Sequence, residues 1–338
     1  MDRLFQDGYG HGNRAFLQAL LARGTITFKD SRPLIAAIMN ADRPNDDDLA
    51  RPDHVTEDMF LDYIHKASQA ASLFDYEIRS GVHQITKQRI YALINTASDP
   101  QTQLATTYSP EELSFINRVL DAMFDKFNTP RMESMCITGL QATRLSKPCE
   151  SQAAGGDQSL LQQEAAAADK GLKHSEVELV MSNLLAGGWF EKSKDNFYSL
   201  TPRALLELRP WLIDSYNDPD AEPGDWQRIK FCEACKDIVT YGLRCSEPDC
   251  NARLHDICQD AYWKTRREKK CPKCSRDWTE KLYVGERSIT MTAAYQKGQK
   301  KSGARRRTLA DEIALSQGVE DNGEHQGHGA GGAEEDEG

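Results

Sequence analysis

Long apolar runs are missing from this 338-residue chain. No stretch approaches the roughly 18 to 20 consecutive apolar residues of a membrane-spanning helix. The opening Met1-Asp2-Arg3-Leu4-Phe5-Gln6-Asp7 lacks a basic stretch followed by an apolar one, the pattern of a secretory leader. A soluble, intracellular protein without membrane contact is expected. Glycine-rich phosphate loops, a G-x-S-x-G nucleophile elbow and an H-E-x-x-H helix are also missing, so nothing points to nucleotide, esterase or metalloprotease chemistry. Cysteine is scarce for most of the length. Only Cys136 and Cys149 precede residue 232, and they are expected to be ordinary thiols.

The other seven cysteines crowd into one segment, Cys232-x2-Cys235-x9-Cys245-x4-Cys250-x4-His255-x2-Cys258-x12-Cys271-x2-Cys274. Zinc takes four thiolate or imidazole ligands in a tetrahedron, and a C-x-x-C turn aims two thiolates at one ion. Four such pairs supply two complete sites, so two zinc ions are expected. A disulfide cluster is the alternative, disfavoured in a reducing compartment. Interleaved pairing assigns Cys232, Cys235, His255 and Cys258 to one ion, and Cys245, Cys250, Cys271 and Cys274 to the other. Sequential pairing satisfies the same spacing.

Charge is segregated along the chain. The formal net charge is -10, yet Arg228 to Lys281 carries 13 Lys and Arg against 9 Asp and Glu. Lys297, Lys300, Lys301, Arg305, Arg306 and Arg307 follow as a basic run, a candidate phosphate contact or nuclear localisation signal. Val319 to Gly338 then holds seven acidic residues and no Lys or Arg. Such a tail cannot bury a core and is expected to be disordered.

Upstream, an α+β multidomain chain is expected, with the same element order appearing twice. Phe16, Leu17, Leu20 and Leu21 predict a helix over Asn13 to Leu21 that stops at Gly24, before the β-prone Thr25-Ile26-Thr27. A second helix is expected over Pro33 to Met39 and a third from Thr56. A hairpin follows, with its turn at Ser80-Gly81. The second unit opens at the capping box Ser109-Pro110-Glu111-Glu112. It continues with a helix capped at Ser175, a hairpin around Lys192 to Asn196, and a closing helix from Thr201-Pro202. Helix, short strand, two helices and a hairpin is the order of a winged helix. The expected domains are a first winged helix at 10–105 and a second at 106–217, with a mobile insertion at about 147–169. A linker at 218–227, a zinc module at 228–285 and a disordered, basic-then-acidic tail at 286–338 complete the expected chain.

Two families share the ligand order. Plant homeodomain fingers, which read histone tails, usually place an aromatic two residues before the seventh ligand, where Lys269 stands here. RING modules bind ubiquitin-conjugating enzymes, and Cys271-Pro272-Lys273-Cys274 with Trp278 resembles their closing segment. Two winged helices before a RING variant of four cysteines, one histidine and three cysteines resemble the non-structural-maintenance-of-chromosomes element 1 family. Phe16-Leu17-Gln18-Ala19-Leu20-Leu21-Ala22-Arg23-Gly24, Glu77-Ile78-Arg79 and Tyr91-Ala92-Leu93-Ile94-Asn95-Thr96-Ala97-Ser98-Asp99 share in that resemblance, which covers about residues 10 to 285.

The resemblance implies a nuclear, chromosome-associated subunit of the DNA-repair complex built on the fifth and sixth structural-maintenance-of-chromosomes ATPases. It implies partners of the MAGE and kleisin types and a ubiquitin ligase activity strengthened by the MAGE partner. Ala234, Tyr262, Trp263 and Pro272 then stand as conjugating-enzyme contacts, and Arg276 as a basic residue orienting ubiquitin. No catalytic residue is expected, because a RING acts by orientation. Ala234 replaces the large aliphatic residue often found before the second ligand, and Ser275 replaces the basic residue after the last. A non-enzymatic, zinc-stiffened assembly module is therefore the alternative. The helix after Ser175 carries Glu176 and Glu178 and no basic residue, which favours protein docking over direct DNA recognition, leaving DNA contact to the complex.

Overall fold

A computed structural model describes residues 8–42, 49–96, 107–148, 170–222 and 224–299. Cys149, most of the expected insertion, Arg305 to Arg307 and the acidic tail lie outside the described residues.

The first unit is built from α1 (His11–Arg23), β1 (Thr25–Ile26), α2 (Phe28–Asp42), a 3₁₀ turn (Pro52–His54), α3 (Glu57–Ser72) and the strands β2 (Tyr76–Val82) and β3 (Arg89–Asn95). The sheet is antiparallel, in the order β1-β3-β2. Its core is aromatic and aliphatic, with Phe16, Leu20, Ile35 and Phe60 fully buried and the Phe60 and Tyr91 rings edge to face at 5.1 Å. Gly24 ends α1 as expected, in a left-handed conformation with φ 70°, donating its N–H to the Leu20 carbonyl.

Two boundaries differ from the sequence expectation. Helix α2 starts five residues before Pro33 because Thr27 caps it, accepting from the Asp30 amide at 3.1 Å and donating to the Asp30 carboxylate at 2.7 Å. Pro33 sits in the second turn and sacrifices only one intrahelical bond. The hairpin turn is not at Ser80-Gly81, which pair within the ladder with Tyr91 and Ile90. It lies at residues 83–88, closed by the His83 amide on the Gln88 carbonyl, with Lys87 at φ 63°. Gly81 serves close packing: a Cβ there would stand 3.2 Å from Leu206 Cδ1 of the second unit.

The second unit runs through α4 (Pro110–Asp121), a π turn (Ala122–Lys126), β4 (Ile137–Thr138), α5 (Gly139–Arg144) and α6 (His174–Ala186). Then come β5 (Phe190–Lys192), β6 (Phe197–Leu200), α7 (Pro202–Glu207) and α8 (Arg209–Tyr216). The Ser109 capping box is present in both directions, at 2.8 and 3.3 Å. The cap of α6 falls at Lys173, whose amide donates to Glu176 Oε2 at 2.7 Å, so Ser175 is already helical. Val177, Val180, Met181 and Leu184 form its buried stripe. Helix α7 lies against β2 and β3 of the first unit. Its Arg203 packs on Gly24, donates to the Gly187 carbonyl at 3.0 Å and stacks over Trp189.

The zinc module has a three-stranded antiparallel sheet, β8-β7-β9, from β7 (Gly242–Arg244), β8 (Arg253–Leu254) and β9 (Tyr283–Val284), with α9 (Asp256–Lys264) beside it. The segment before it is tied down: Asn217 accepts from the Ile229 amide at 2.7 Å and donates to the Ile229 carbonyl at 3.0 Å. Residues 286–299, expected to begin the disordered tail, instead form α10 (Arg287–Thr290) and α11 (Ala293–Gln299). Ile289 and Tyr295 bury themselves beside Met132, Cys136 and Phe197 of the second unit, and this apolar anchorage orders the segment. No helix among the described residues is long and apolar enough to cross a membrane.

Candidate metal centres

Each outer C-x-x-C pair forms the same tight loop. In the first, the Lys236 amide returns to the Cys232 carbonyl at 3.0 Å and the Cys232 amide bonds the Asp237 carbonyl at 2.8 Å. In the second, Ser275 returns to Cys271 at 3.0 Å and Cys271 bonds the Arg276 carbonyl at 2.7 Å. Lys236 and Ser275 hold φ values of 64° and 61°. Closing the loop sends both thiols of each pair to one side. The middle ligands come from regular structure: Cys245 follows β7, while His255 follows β8 and precedes α9, whose first turn carries Cys258.

These elements gather Cys232, Cys235, His255 and Cys258 into one cluster and Cys245, Cys250, Cys271 and Cys274 into another, with all ligand atoms of a cluster within 4.8 Å of one another. The pairing is therefore interleaved. Cys245 and Cys274 Sγ are 3.4 Å apart, and Cys250 and Cys271 Sγ 3.5 Å. A disulfide requires about 2.05 Å, whereas a tetrahedron of thiolates about 2.3 Å from zinc has sulfur–sulfur edges of about 3.8 Å. Three sulfurs with one imidazole, and four sulfurs, are zinc donor sets, so the two clusters fit two zinc ions. His255 presents Nδ1 to its cluster, 3.3 Å from Cys235 Sγ, and turns Nε2 to the Ile238 carbonyl at 3.1 Å. With one nitrogen facing the metal and the other fixed by a carbonyl, the ring is oriented as a ligand.

A second constellation joins the module to the second unit. Glu133, in the loop before β4, is buried against three cations, Lys230, Arg244 and Arg253. Arg253 Nε donates to Glu133 Oε2 at 2.7 Å, its Nη2 to Oε1, and its Nη1 to the Cys250 and Ala252 carbonyls. Burial alone would raise the Glu133 pKa, but the charges of Arg253, Lys230 and Arg244 outweigh it and hold the carboxyl well below the usual range. Burial depresses Lys230 to about 7 despite Glu133 beside it. Sequence reasoning missed this cluster. Its one sequence signal is a lone acid among Met132, Ser134, Met135, Cys136 and Ile137.

Of the expected conjugating-enzyme contacts, Ala234 and Pro272 are exposed on the two outer loops, which a Lys273–Glu233 ion pair at 3.4 Å ties together. Tyr262 and Trp263 are each only 7% exposed. Trp263 packs against Trp278 at 5.7 Å, and Tyr262 lies under the Arg266 guanidinium. Arg276 is exposed and paired with Glu247.

Fold and ligand set define the class: an α+β chain whose two three-helix-and-hairpin units precede a cross-braced, two-zinc, RING-like module. Residues 13–208 match the family of the Nse1 non-SMC component of the SMC5-6 complex, and residues 232–274 match the RING-like domain family. The chain belongs to the Nse1 family. It is 23% identical over 270 residues to the non-structural maintenance of chromosomes element 1 homolog of Homo sapiens, covering 80% of this chain and 85% of that protein. Against non-structural maintenance of chromosomes element 1 of Schizosaccharomyces pombe it is 22% identical over 226 residues, covering 66% and 79%. Its fold matches a chain of a solved Nse1-Nse3-Nse4 complex with a TM-score of 0.59 at 19% identity, over 80% of this chain and 96% of that one.

Proposed function

We propose that this chain is the RING-type ubiquitin ligase subunit of a nuclear, chromosome-associated SMC5-6 complex, docking a MAGE-type and a kleisin subunit. The observation that carries the ligase reading is the pair of outer zinc loops, side by side, with Ala234 and Pro272 at their exposed tips. A charged conjugating enzyme seated there is held with its thioester presented to a substrate lysine. The gain is proximity and orientation, and no general base is needed from this chain. Because Tyr262 and Trp263 are buried, the contact falls chiefly to Ala234 and Pro272, a small surface that fits dependence on the MAGE partner. Family membership and the fold-likeness to a chain of the Nse1-Nse3-Nse4 complex support the two partners. DNA contact belongs to the assembled complex.

The test is discharge of ubiquitin from a charged conjugating enzyme by the full chain with its MAGE-type partner. Pro272→Ala should reduce the rate while zinc content stays at two ions. Equal discharge by wild type and Pro272→Ala would remove Pro272 from the contact. Absence of any discharge with the partner bound would favour the second reading, a zinc-stiffened assembly module, which the small Ala234 side chain supports.

A further inference from the structure

The turn of the first unit's hairpin reaches the zinc module. Gln84, 9% exposed, donates from Nε2 to the Ile238 carbonyl at 3.0 Å, while its Oε1 accepts from the Thr240 and Tyr241 amides at 3.1 and 2.8 Å and from Thr240 Oγ1 at 3.4 Å. The Ile238 carbonyl is the same one that His255 Nε2 approaches at 3.1 Å. Beside this contact lies a cavity of about 90 Å³, bordered by Gly81, Gln84 and Leu206 on one side and Cys235, His255 and Cys258 on the other. The neighbouring His83 takes a different partner, Glu191 on the second unit's hairpin, at 3.0 Å. One turn thus braces both the second unit and the three-cysteine, one-histidine cluster.

We infer that Gln84 is a positioning residue for the first zinc site, holding the Ile238 carbonyl so that it fixes the His255 ring. A carbonyl that orients an imidazole can do so only if its own peptide plane is fixed. In the Phe231 to Leu243 excursion that plane is held by the backbone on its N–H side, where the Val239 amide donates to the Lys230 carbonyl at 2.9 Å beside the isolated Phe231–Ile238 bridge, and the sheet begins only at Gly242. Gln84 adds the side-chain restraint on the carbonyl side from 154 residues away in sequence. The four-cysteine site has no such brace from the first unit among the described residues. A displacement of the first unit is therefore felt at one zinc site and not at the other, giving partner docking on that unit a route to the conjugating-enzyme face.

The experiment uses the full-length, zinc-loaded chain and measures transfer of each ion to a competing chelator. Cadmium substitution assigns the sites, because three-sulfur and four-sulfur environments give separate NMR resonances. Gln84→Ala should speed loss from the His255 site about 10-fold or more, the scale of outer-sphere changes at metal centres, and leave the four-cysteine site at its wild-type rate. Gln84→Glu keeps an acceptor for the Thr240 and Tyr241 amides but sets a second acceptor against the Ile238 carbonyl. It should behave like Gln84→Ala while the first unit stays docked, and it carries the test if the alanine variant does not fold. Glu191→Ala removes the His83 contact but keeps the bonds from the Ile85 and Thr86 amides to His83 Nδ1 that shape the turn, and it should leave both rates unchanged. Wild-type release from Gln84→Glu, equal acceleration at both sites, or the same acceleration in Glu191→Ala would each overturn the assignment.

Discussion

Glu133 and Arg253, 120 residues apart in sequence, meet in a two-pronged ion pair with side-chain exposures of 1% and 0%. The zinc module is therefore joined to the second unit through its interior. Three cations around one carboxylate leave an excess of buried positive charge, which is costly unless further acceptors are near. Arg253 Nη1 finds the Cys250 and Ala252 carbonyls, and Arg244 reaches the Pro130 and Pro248 carbonyls. Arg244 also precedes Cys245, whose four-thiolate cluster remains net negative with zinc bound.

Removing the Glu133 charge should be among the most damaging single changes in the chain. Glu133→Gln preserves shape but leaves Lys230, Arg244 and Arg253 buried without their counter-charge, and breaking such a cluster costs about 3–5 kcal/mol. Chemical denaturation of the full zinc-loaded chain measures this. A loss under about 1 kcal/mol would mean that the carbonyls alone satisfy the cations.

The pH dependence follows from the lowered Glu133 pKa. A carboxyl with a folded pKa below its unfolded value contributes stability that is present above the unfolded pKa, about 4.3 for Glu, and lost as pH falls through the folded one. Wild type should thus lose the Glu133 contribution only below about pH 4.3, and Glu133→Gln should lack that acid limb. Denaturation midpoints of the two proteins should move further apart as pH falls from 8 to about pH 5, because Lys230, held at about 7 beside Glu133, loses that counter-charge in the variant, and should converge in stronger acid. A difference that shrinks already near neutrality would contradict the assigned shift.

Gly81 and Leu206 should be energetically coupled. A methyl at position 81 meets Leu206 Cδ1 at 3.2 Å, so Gly81→Ala must push the leucine aside or part the two units, at about 1 kcal/mol or more. Leu206→Ala removes the obstruction. In a double-mutant cycle the pair should fall short of the sum of the single losses by about 0.5 kcal/mol or more. Additive losses would show that the contact between β2 and α7 is loose.

Local signals and distant ones were unequally legible. The zinc ligands could be named from spacing, because thiolate pairs at C-x-x-C separation have few other uses, and the Ser109 box could be placed because its partners are three residues apart. Pairing order needed coordinates, since interleaved and sequential schemes share one spacing. Tyr262 and Trp263 were expected at a surface groove, but α9 turns Trp263 onto Trp278 and leaves Tyr262 under the Arg266 guanidinium; one helical turn decides this, and nearby aromatics do not reveal it. Glu133 and Gln84 act chiefly on residues more than a hundred positions away, and one sequence carries no record of such pairs. Ser80-Gly81 misled because glycine marks both turns and close approaches.

Zinc removal should dismantle the molecule unevenly. The buried apolar residues of the first unit form their own cluster around Phe16, Leu20 and Phe60, whereas one continuous cluster runs from Phe115 and Phe124 of the second unit to Leu243, Trp263 and Trp278 of the zinc module. So small a module depends on its metal for folding free energy. Chelation should therefore abolish amide exchange protection in residues 229–285 and weaken it from Ala122 to Ile137, where Glu133 loses its partners. Helices α1 and α3 should keep most of theirs. Hydrogen exchange of the full chain before and after chelation tests this order, and loss of protection in α3 equal to that in β7 would show a single cooperative unit instead.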